Sequence, residues 1–470
     1  MNKILTLQDN LLKNGVNTAI LLTVLVLSAS LLVLTPLNFF IMAAVLAIFT
    51  IFVIRPDICY YFMIFTIPFT ERLRILPISF SLNDVLVFVC GITVFLNLIL
   101  RNERVSLKTK IDKWILVLLV LYFAAGMYSI YDRGILSSFK FLEAVLAYYM
   151  TIYFIRSKQV KISGIIRLLV IAGIFQAIIG ILQSVTGQFG AGFQSDRGYL
   201  GYLGIGPKVV WHAWGTFGGN GSLPNFLTMI LFFVLPFHKY LNKKKRNLIL
   251  LIFLTAIYMG YSKESLLTFI TCASFYMIYT SQDIKKTIMN CLKFFVPLAV
   301  IGIILINTPF VNTINETLTG RIGIWKYPLT AFANNPKLLV FGTGLMSYWK
   351  LIEPLLPPYL MINPEDSHFW LLAHNYYIIV VQETGFVGFI ILFSFLFYLM
   401  HVLSKNYFKL SGQSRNIFLS SFLMVLPIFT TSFFGQTFME TSSKILFFTL
   451  FGMAFAKMQD ESCEKKEFLL

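Results

Sequence analysis

Charged residues and paired cysteines are both scarce in this sequence of 470 residues. Only 13% of the residues are charged and 57% are hydrophobic, and the mean hydropathy is +0.77, which excludes an ordinary soluble domain. The five cysteines form no CxxC or CxxH pair, so we expect neither a disulfide framework nor a zinc site. The chain also has no phosphate-binding loop, which disfavours an enzyme that uses nucleotides.

Long apolar runs occupy most of the chain and predict an all-α, polytopic membrane protein. Many of these runs approach the ~20 residues that a helix needs to cross the hydrocarbon layer. We predict about 12–14 transmembrane helices. The third run is short, and the ninth and tenth are nearly continuous. The candidate spans are 16–34, 37–54, 57–70, 80–100, 114–131, 136–155, 164–186, 222–238, 247–262, 264–280, 291–308, 371–402, 417–435 and 440–457.

The net charge of +17 is better explained by topology than by a nucleic-acid partner. Cytoplasmic loops of membrane proteins collect Lys and Arg. If the amino terminus is cytoplasmic, alternate loops such as "RNERVSLKTKIDK" and "KYLNKKKR" lie inside and hold most of these residues. The alternation predicts that both termini are cytoplasmic.

Two long segments fall on the predicted outer side, residues 187–221 and 309–370. The first is rich in Gly and aromatic residues. The second contains apolar residues at helical spacing, followed by a helix-ending Asn-Asn-Pro at 334–336. This pattern predicts an interfacial helix lying on the outer membrane face. Its apolar residues are Ile322, Trp325, Leu329 and Phe332.

Three cationic or titratable residues fall on this same predicted side: Lys263, Arg321 and His374. Arg321 is expected to open the interfacial helix. Arg gives bidentate contacts to phosphate, and Lys supplies a point charge. Histidine titrates near pH 6.5 and can therefore take a proton from a hydroxyl group at neutral pH. Each residue also has a plainer interpretation, because Lys and Arg at helix ends are often membrane anchors and a His at a helix mouth is often an interfacial polar residue.

Glu383 is an ionisable residue within an apolar run, nine residues after His374 and therefore about 13 Å deeper along a helix. Ionisable residues at membrane depth usually have a function. A structural hydrogen bond to a neighbouring helix is as well founded here as catalysis. The short "GTG" at 342–344 is interpreted as a turn rather than a phosphate site.

Four segments, which follow one another along the chain in the same order as in the family, resemble the O-antigen ligase and O-antigen polymerase family. "AHNYYIIVVQETGFVG" looks like its His-Asn…Glu-x-Gly-x-x-Gly signature, and "TGRIGIWKYPLTAFANNPKLLVFGTG" looks like its Gly-Arg…Trp…Asn-Pro…Gly-x-Gly segment. "GTFGGNGSLPNFLTMILFFVLPF" is similar to its Gly-x-Phe…Pro-Asn span, and "YMGYSKESLLTFI" lies where the family often has Ser-Arg. The resemblance covers roughly residues 210–400, and the amino-terminal half matches only in hydropathy.

The resemblance implies transfer of a glycan from an undecaprenyl-diphosphate carrier to an acceptor hydroxyl, without a cofactor or metal. It implies that Arg321 and Lys263 bind the diphosphate, although Lys263 replaces the usual Arg. It implies a catalytic group of His374, Arg321 and Glu383. Further glycan or acceptor contacts are expected from Asn375, Trp325 and Asn225.

We therefore expect a GT-C-like polymerase of lipid-linked repeat units for O-antigen, capsule or exopolysaccharide. A ligase acting on lipid A–core or another acceptor is the alternative within the family. A flippase is the alternative of another class, but its expected internal repeat and mid-membrane charges are not evident. Expected partners are the lipid-linked donor and acceptor, the bilayer and other polysaccharide assembly proteins. The expected location is the bacterial plasma membrane, with an extracytoplasmic active site. The predicted divisions are 1–186, 187–402 and 403–470.

Overall fold

The structure is a computed structural model, and most of its described residues are helical. It describes residues 47–69, 72–74, 79–100, 105–187, 197–199, 209–211, 213–217, 222–240, 242–260, 262–281, 289, 293, 309–355, 373–435 and 441–460. The predicted first span, 16–34, and the predicted span 291–308 lie almost entirely outside these ranges.

The amino-terminal half combines helices with two short antiparallel ribbons. In one ribbon β1 pairs with β2, and in the other β3 pairs with β4. The helices and strands are α1 (Ala47–Ile54), α2 (Pro56–Thr66), β1 (Arg72–Arg74), β2 (Ser79–Ser81), α3 (Leu82–Leu100), α4 (Asp112–Met127), α5 (Gly134–Arg156), α6 (Ile162–Thr186), β3 (Arg197–Tyr199), β4 (Val209–Trp211) and α7 (Ser222–Val234).

The remaining described elements are helical. They are a 3₁₀ segment (Leu235–Tyr240), α8 (Lys243–Met259), α9 (Lys263–Thr280), α10 (Pro309–Asn334), α11 (Pro336–Phe341), α12 (Tyr348–Ile352), a 3₁₀ segment (Glu353–Leu355), α13 (Tyr376–Lys409), α14 (Gly412–Phe434) and α15 (Thr441–Asp460). The break between α8 and α9 confirms that the ninth and tenth predicted runs are separate helices.

The chain is an all-α, multi-pass membrane protein. Within the described residues, four helices are long and apolar enough to cross a bilayer, namely α3, α5, α6 and α13. Helices α1 and α2 add a fifth span if the pair, bent by 114°, is counted as one. The bend falls at Arg55, just before Pro56, because the residue that precedes a proline is disfavoured in helical conformation. The total of about 12–14 spans remains a prediction.

Loops that were predicted on the same side of the membrane contact one another. At one end of the bundle, the Ile130 amide donates to the carbonyl of Thr343 at 3.1 Å, and the Ala213 amide donates to that of Met259 at 3.0 Å. All four residues belong to segments or helix ends predicted to lie outside.

A second set of contacts joins segments that were predicted to lie inside. The guanidinium of Arg156, at the end of α5, donates to the carbonyl of Phe455 at 3.0 Å. It also donates to the carbonyl of Ser106, in the loop before α4. These contacts group segments that the charge pattern places on the same side, and the side of the membrane on which each group lies stays a prediction.

Helix α10 ends at Asn334, as the Asn-Asn-Pro sequence predicted, but it begins earlier than expected. Arg321 does not open this helix, because the helix already starts at Pro309, and a proline is well suited to a first turn. The predicted apolar residues divide into two stripes. Ile322 and Leu329 are exposed, whereas Phe332 is buried and Trp325 is half-buried. An exposed apolar stripe on one face is what contact with a membrane surface requires.

Candidate active site

His374 lies at the entrance to α13 in an unusual backbone conformation. Its φ is +46°, in the left-handed region that non-glycine residues seldom adopt. The next residue, Asn375, is the N-cap of α13, and its side-chain oxygen accepts a hydrogen bond from the Ile378 amide at 3.2 Å. Residues held in this region store strain of about 1–3 kcal/mol and are concentrated at functional sites. The N-cap at Asn375 therefore fixes the backbone position of His374, whose conformation is strained.

Trp325 connects the interfacial helix to this entrance. Its indole N–H donates to the carbonyl of Ala373 at 2.6 Å, directly before His374. A small hydrophobic cluster surrounds the bond and joins α10, α12 and the start of α13. Its buried members are Tyr348, Ile352, Ala373 and Ile379. The predicted contact residue Trp325 thus has a clear role in placing the backbone of His374.

Tyr348 is the polar member of that cluster. Its hydroxyl is buried and has no hydrogen-bond partner among the described residues. Burial raises the pKa of Tyr348, so the hydroxyl stays protonated and neutral at physiological pH. Tyr348 is therefore unsuited to act as a base.

Arg321 stands four residues before Trp325 in α10, which places it one turn, or about 6 Å, along the same helix. Residues four apart share a helix face. The backbone thus brings the predicted phosphate ligand to the helix that contacts the His374 segment. The side chain of Arg321 lies outside the described part of the structure.

The segment 342–346 forms a tight turn across the outer part of α13. The amide of Thr343 donates to the carbonyl of Gln382 at 2.8 Å, and that of Gly344 donates to the carbonyl of Glu383 at 2.9 Å. The next two amides of the turn also have partners inside the protein. The "GTG" sequence is confirmed as a turn, and its amides are not available to hold a phosphate.

Glycine is required where this turn meets α13. Gly342 has φ +75° and Gly385 has φ +69° with ψ −178°, so Gly385 interrupts α13. A Cβ atom on Gly385 would stand 2.0 Å from the carbonyl oxygen of Val340. On Gly342 it would stand 2.5 Å from the carbonyl carbon of Glu383. The two Gly-containing motifs of the sequence therefore form one backbone-to-backbone crossing.

The side chain of Glu383 adds a hydrogen bond between α13 and the turn. Its Oε1 accepts a hydrogen bond from the Met346 amide at 2.7 Å, and the residue is buried. The sequence left open a structural hydrogen bond from Glu383 to a neighbouring helix, and the observed partner is instead an amide of the 342–346 turn. A catalytic role for Glu383 stays a prediction.

Asn225 and Lys263 belong to a second contact region. Asn225 is buried in the first turn of α7, and its Oδ1 accepts a hydrogen bond from the Ser265 hydroxyl at 2.6 Å. Ser262 caps α9 through the Ser265 amide, so Asn225 braces the helix start that carries Lys263. The side chain of Lys263 lies outside the described part of the structure.

The predicted residues therefore fall into two braced groups. One group joins the helix of Arg321 and Trp325 to His374, Asn375 and Glu383. The other joins Asn225 to the start of the Lys263 helix.

Helix α14 connects the two groups. In α13 the Tyr377 hydroxyl donates to the carbonyl of Phe429 in α14 at 2.6 Å. In α9 the Thr268 hydroxyl lies 3.0 Å from that of Thr430, the next residue of α14. The distance between the Lys263 and His374 side chains does not follow from these contacts.

Sequence reasoning missed several polar residues at this end of the bundle. Tyr122 and Tyr376 have hydroxyl oxygens 3.3 Å apart, and both side chains are buried. Gln382 is fully buried, and neither polar atom of its amide has a partner among the described residues. Lys444, in α15, is also buried. Gln382 and Lys444 each interrupt an apolar run, which is the signal that singled out Glu383 and could have found them.

Removal of the Trp325 indole N–H should slow catalysis without unfolding the protein. We expect Trp325→Phe to lower glycan transfer about 2- to 10-fold, since the net value of one such hydrogen bond is about 0.5–1.5 kcal/mol. Tyr327→Phe, on the same helix and in the same cluster, is the matched control and should keep full activity. Transfer assays with thermal unfolding curves would check both variants. Wild-type transfer by Trp325→Phe would show that this bond does not place His374.

No group of three or more His, Cys, Asp or Glu side chains that could hold a metal ion occurs within the described ranges. The three cysteines described, Cys59, Cys90 and Cys272, are buried free thiols.

Comparison with known proteins supports the resemblance seen in the motifs. No curated protein matches the chain. Residues 248–393 match the family model described as O-antigen ligase. This range contains Lys263, Arg321, Trp325, His374 and Glu383, whereas Asn225 precedes it. The motif-based resemblance to the O-antigen ligase and polymerase family is confirmed: residues 248–393 form a domain of that family.

Proposed function

We propose that this protein is a membrane glycosyltransferase that polymerises undecaprenyl-diphosphate-linked oligosaccharide repeat units at the outer face of the bacterial plasma membrane. The observation that carries the proposal is the hydrogen bond from Trp325 to Ala373. It joins the two most distinctive family segments, so that a conformationally restricted histidine lies beside the helix of Arg321.

The proposed reaction is displacement at an anomeric carbon. A hydroxyl oxygen of the acceptor glycan forms the new glycosidic bond, and the bond from the anomeric carbon to the diphosphate breaks. The hydroxyl proton passes to His374, and undecaprenyl diphosphate leaves with the electron pair of the broken bond. Fixed cations stabilise the negative charge that develops on this leaving group. We assign that role to Arg321 and Lys263.

Glu383 has a different place in this proposal. Oε1 of its carboxylate already accepts a hydrogen bond from the Met346 amide. We therefore propose that Glu383 positions the turn and does not take the proton. The glycan contacts predicted for Asn375, Trp325 and Asn225 remain expectations, because each of these side chains has a structural hydrogen bond.

Reconstitution distinguishes the proposal from its alternatives. Purified protein in lipid nanodiscs would receive undecaprenyl-diphosphate-linked repeat units as both donor and acceptor. A polymerase yields a ladder of longer lipid-linked glycans. A ligase yields product only when lipid A–core or another acceptor is added. A flippase yields no new glycosidic bond, but moves the substrate across a vesicle membrane. Absence of any new glycosidic bond with every acceptor would overturn the proposal.

The proposed topology puts the catalytic segments outside. Val340→Cys, introduced into a chain whose five native cysteines are replaced, adds a probe at an exposed position of α11. A membrane-impermeant thiol reagent should label it from the periplasmic or outer side of intact cells. An accessible position in the 239–246 loop should react only after the membrane is opened. Labelling of position 340 from the cytoplasmic side alone would place the site on the wrong side.

Lys263 offers a test of its proposed contact with the diphosphate. We expect Lys263→Arg to keep or raise activity, because Arg adds bidentate phosphate binding. Lys263→Glu should lower transfer at least about 10-fold, since a charge-assisted contact of about 1.5–3 kcal/mol is replaced by repulsion. Steady-state rates with the lipid-linked donor would measure both. Full activity in Lys263→Glu would reduce the residue to a helix-end anchor.

A further inference from the structure

Helix α13 folds back on itself at Gly385, where its backbone is not helical. The ring centroids of Tyr377 and Phe393 lie 5.2 Å apart, although these residues are sixteen positions apart in the sequence. In a straight helix the same spacing would separate their Cα atoms by about 24 Å, which two aromatic side chains are too short to bridge. Tyr377 also contacts the ring of Phe389, with 6.2 Å between centroids. The first residues of α13 therefore pack against its own later residues.

The fold-back divides α13 into two parts. We call residues 376–384 the arm and residues 386–409 the long part, which keeps more than the ~20 residues that a bilayer crossing needs. The arm places His374, which lies just before it, near the level of Phe393, about 12 Å along the long part from the fold. Glu383 lies at the fold itself. Its expected position deeper than His374 is therefore corrected, because that expectation assumed a straight helix.

Five aromatic rings form a continuous row where the arm meets the long part. Neighbouring rings have centroids between 4.3 and 6.3 Å apart. Phe429, in α14, belongs to the row, and its carbonyl also accepts the hydrogen bond from the Tyr377 hydroxyl at 2.6 Å. We call the row the aromatic ladder, and its members are Tyr377, Phe389, Phe393, Phe397 and Phe429.

The aromatic ladder leads from the arm to the lipid-exposed surface. Tyr377, Phe389 and Phe393 are half-buried, whereas Phe397 is 59% exposed. Ile390, on the same side of the long part as Phe397, is 60% exposed. In a multi-pass membrane protein, an exposed apolar face on a spanning helix contacts hydrocarbon chains. The ladder is thus an apolar surface with one end beside His374 and the other end open to the bilayer.

Other lipid-facing surfaces of this protein have a different composition. The exposed large apolar residues of α6 include a single ring among five side chains: Ile171, Phe175, Ile178, Leu182 and Val185. Saturated acyl chains need only such an apolar surface. Aromatic rings add large, flat and rigid contact area. Contiguous rings therefore favour a chain that itself carries flat groups at regular intervals, as the double bonds of a polyprenyl chain do.

The chemistry of the proposed reaction indicates which lipid tail lies here. The bond that breaks joins the anomeric carbon directly to the donor diphosphate, so the donor tail begins next to the reaction centre. The diphosphate of a lipid-linked acceptor is separated from the attacking hydroxyl by the sugars of its repeat unit. An apolar surface that starts beside His374 therefore fits the tail of the donor and not that of the acceptor.

We propose that the aromatic ladder binds the polyprenyl chain of the donor and guides it from the diphosphate beside His374 into the bilayer. The proposal deepens the proposed function and rests on it for the identity of the donor. Two of the rings, Phe397 and Phe429, lie beyond the matched residues 248–393, so the substrate surface extends past the family domain.

Steady-state kinetics in nanodiscs would test this surface with Phe397→Leu, which removes a ring but keeps an apolar side chain. We expect the KM for the undecaprenyl donor to rise about 2- to 10-fold, the usual effect of one lost aromatic contact. The kcat should stay within about twofold, because Phe397 does not touch the reacting atoms. A donor whose diphosphate carries a single isoprene unit does not reach Phe397, so its KM should be the same in the variant and the wild type.

Phe95→Leu is the matched control for these measurements. Phe95 lies on α3 and is 63% exposed, so its replacement changes the contact with bulk lipid to a similar degree. Its KM for the undecaprenyl donor should equal that of the wild type. An unchanged KM in Phe397→Leu, an equal rise in Phe95→Leu, or an equal rise for the short-chain donor would overturn the proposal.

Photocrosslinking gives a readout that does not depend on glycan transfer. A photoreactive benzoyl-phenylalanine in place of Phe397 should form an adduct with undecaprenyl diphosphate included in the nanodiscs. The same group in place of Phe95 should react only with bulk phospholipid, and mass spectrometry of the peptides would identify both adducts. Phospholipid adducts alone at both positions would assign the ladder to bulk lipid, and a covalent dimer through position 397 would assign it to a second copy of the chain. Either result rejects the proposal.

Failure of the proposed function would look different from failure of the ladder. A protein that forms no glycan product but gives undecaprenyl diphosphate adducts at position 397 would keep the ladder as a carrier-binding surface and lose the glycosyltransferase assignment. Normal glycan transfer without these adducts would overturn the ladder alone.

Discussion

Replacing His374 by alanine should lower glycan transfer about 10²- to 10⁴-fold, the usual effect of removing a general base. The expectation follows from its place before the N-cap of α13, where the Trp325 bond and the Asn375 cap fix the backbone on both sides. Rates of lipid-linked glycan elongation by purified protein would measure the loss. Transfer by His374→Ala at the wild-type rate would make the histidine an ordinary polar residue at a helix mouth.

Two further variants separate chemistry from backbone strain. His374→Gly accepts φ +46° without a steric penalty, so its stability should equal or exceed that of the wild type while its activity is lost. His374→Gln keeps a hydrogen-bonding group but cannot take up the proton. If His374 only orients the acceptor hydroxyl, His374→Gln should retain substantial activity.

The pH profile gives an independent check of the base. A base must be neutral to accept a proton, so wild-type transfer should fall as the pH is lowered through the range in which histidine becomes protonated. Residual activity in His374→Gln should lack that step. The same step in both proteins would assign it to another group.

Local sequence patterns were sufficient to predict the elements that carry the site. The Asn-Asn-Pro sequence at 334–336 ends α10 through the conformational restriction that proline places on the preceding residue. The break after Met259 separates α8 from α9 where Gly260 and the capping residue Ser262 interrupt an apolar run. Such signals act over a few residues, and a single sequence displays them directly.

Contacts between segments that are distant in sequence could not be predicted from such local signals. Gly342 and Gly385 looked like separate motif glycines, yet they are required by one crossing between a turn and a helix. Lys140 and Asp84 form an ion pair although they lie 56 positions apart, and only the packing of α3 against α5 brings them together. Their pairing depends on tertiary geometry, which residue spacing along a single helix does not encode.

The start of α10, by contrast, could have been predicted from local sequence. The apolar stripe from Ile322 to Phe332 marked the half of this helix that meets the protein or the membrane. The preceding residues, "PFVNTINETLTG", also carry apolar residues at helical spacing, Val311, Ile314 and Leu318, and the helix continues through them back to Pro309. Arg321 consequently lies inside a helix, with its backbone held on both sides.

Arg321 should contribute through charge and geometry together. We expect Arg321→Ala to lower transfer about 10- to 100-fold, because one charge-assisted contact to the diphosphate contributes roughly 1.5–3 kcal/mol. Arg321→Lys should recover only part of this loss, since lysine restores the charge but not the bidentate geometry. The lipid-linked donor at several concentrations would show whether the loss appears in KM, in kcat or in both.

Lys326→Ala is the matched control for this experiment. Lys326 is an exposed cation on the same helix, five residues later and therefore about 140° around the axis from Arg321. Removal of a cation from α10 weakens any general attraction to anionic lipid equally in both variants. Only Arg321→Ala should lose transfer if the residue binds the diphosphate. Equal product chain lengths from Arg321→Ala, Lys326→Ala and wild type would make Arg321 a membrane anchor and would remove the diphosphate ligand from this helix.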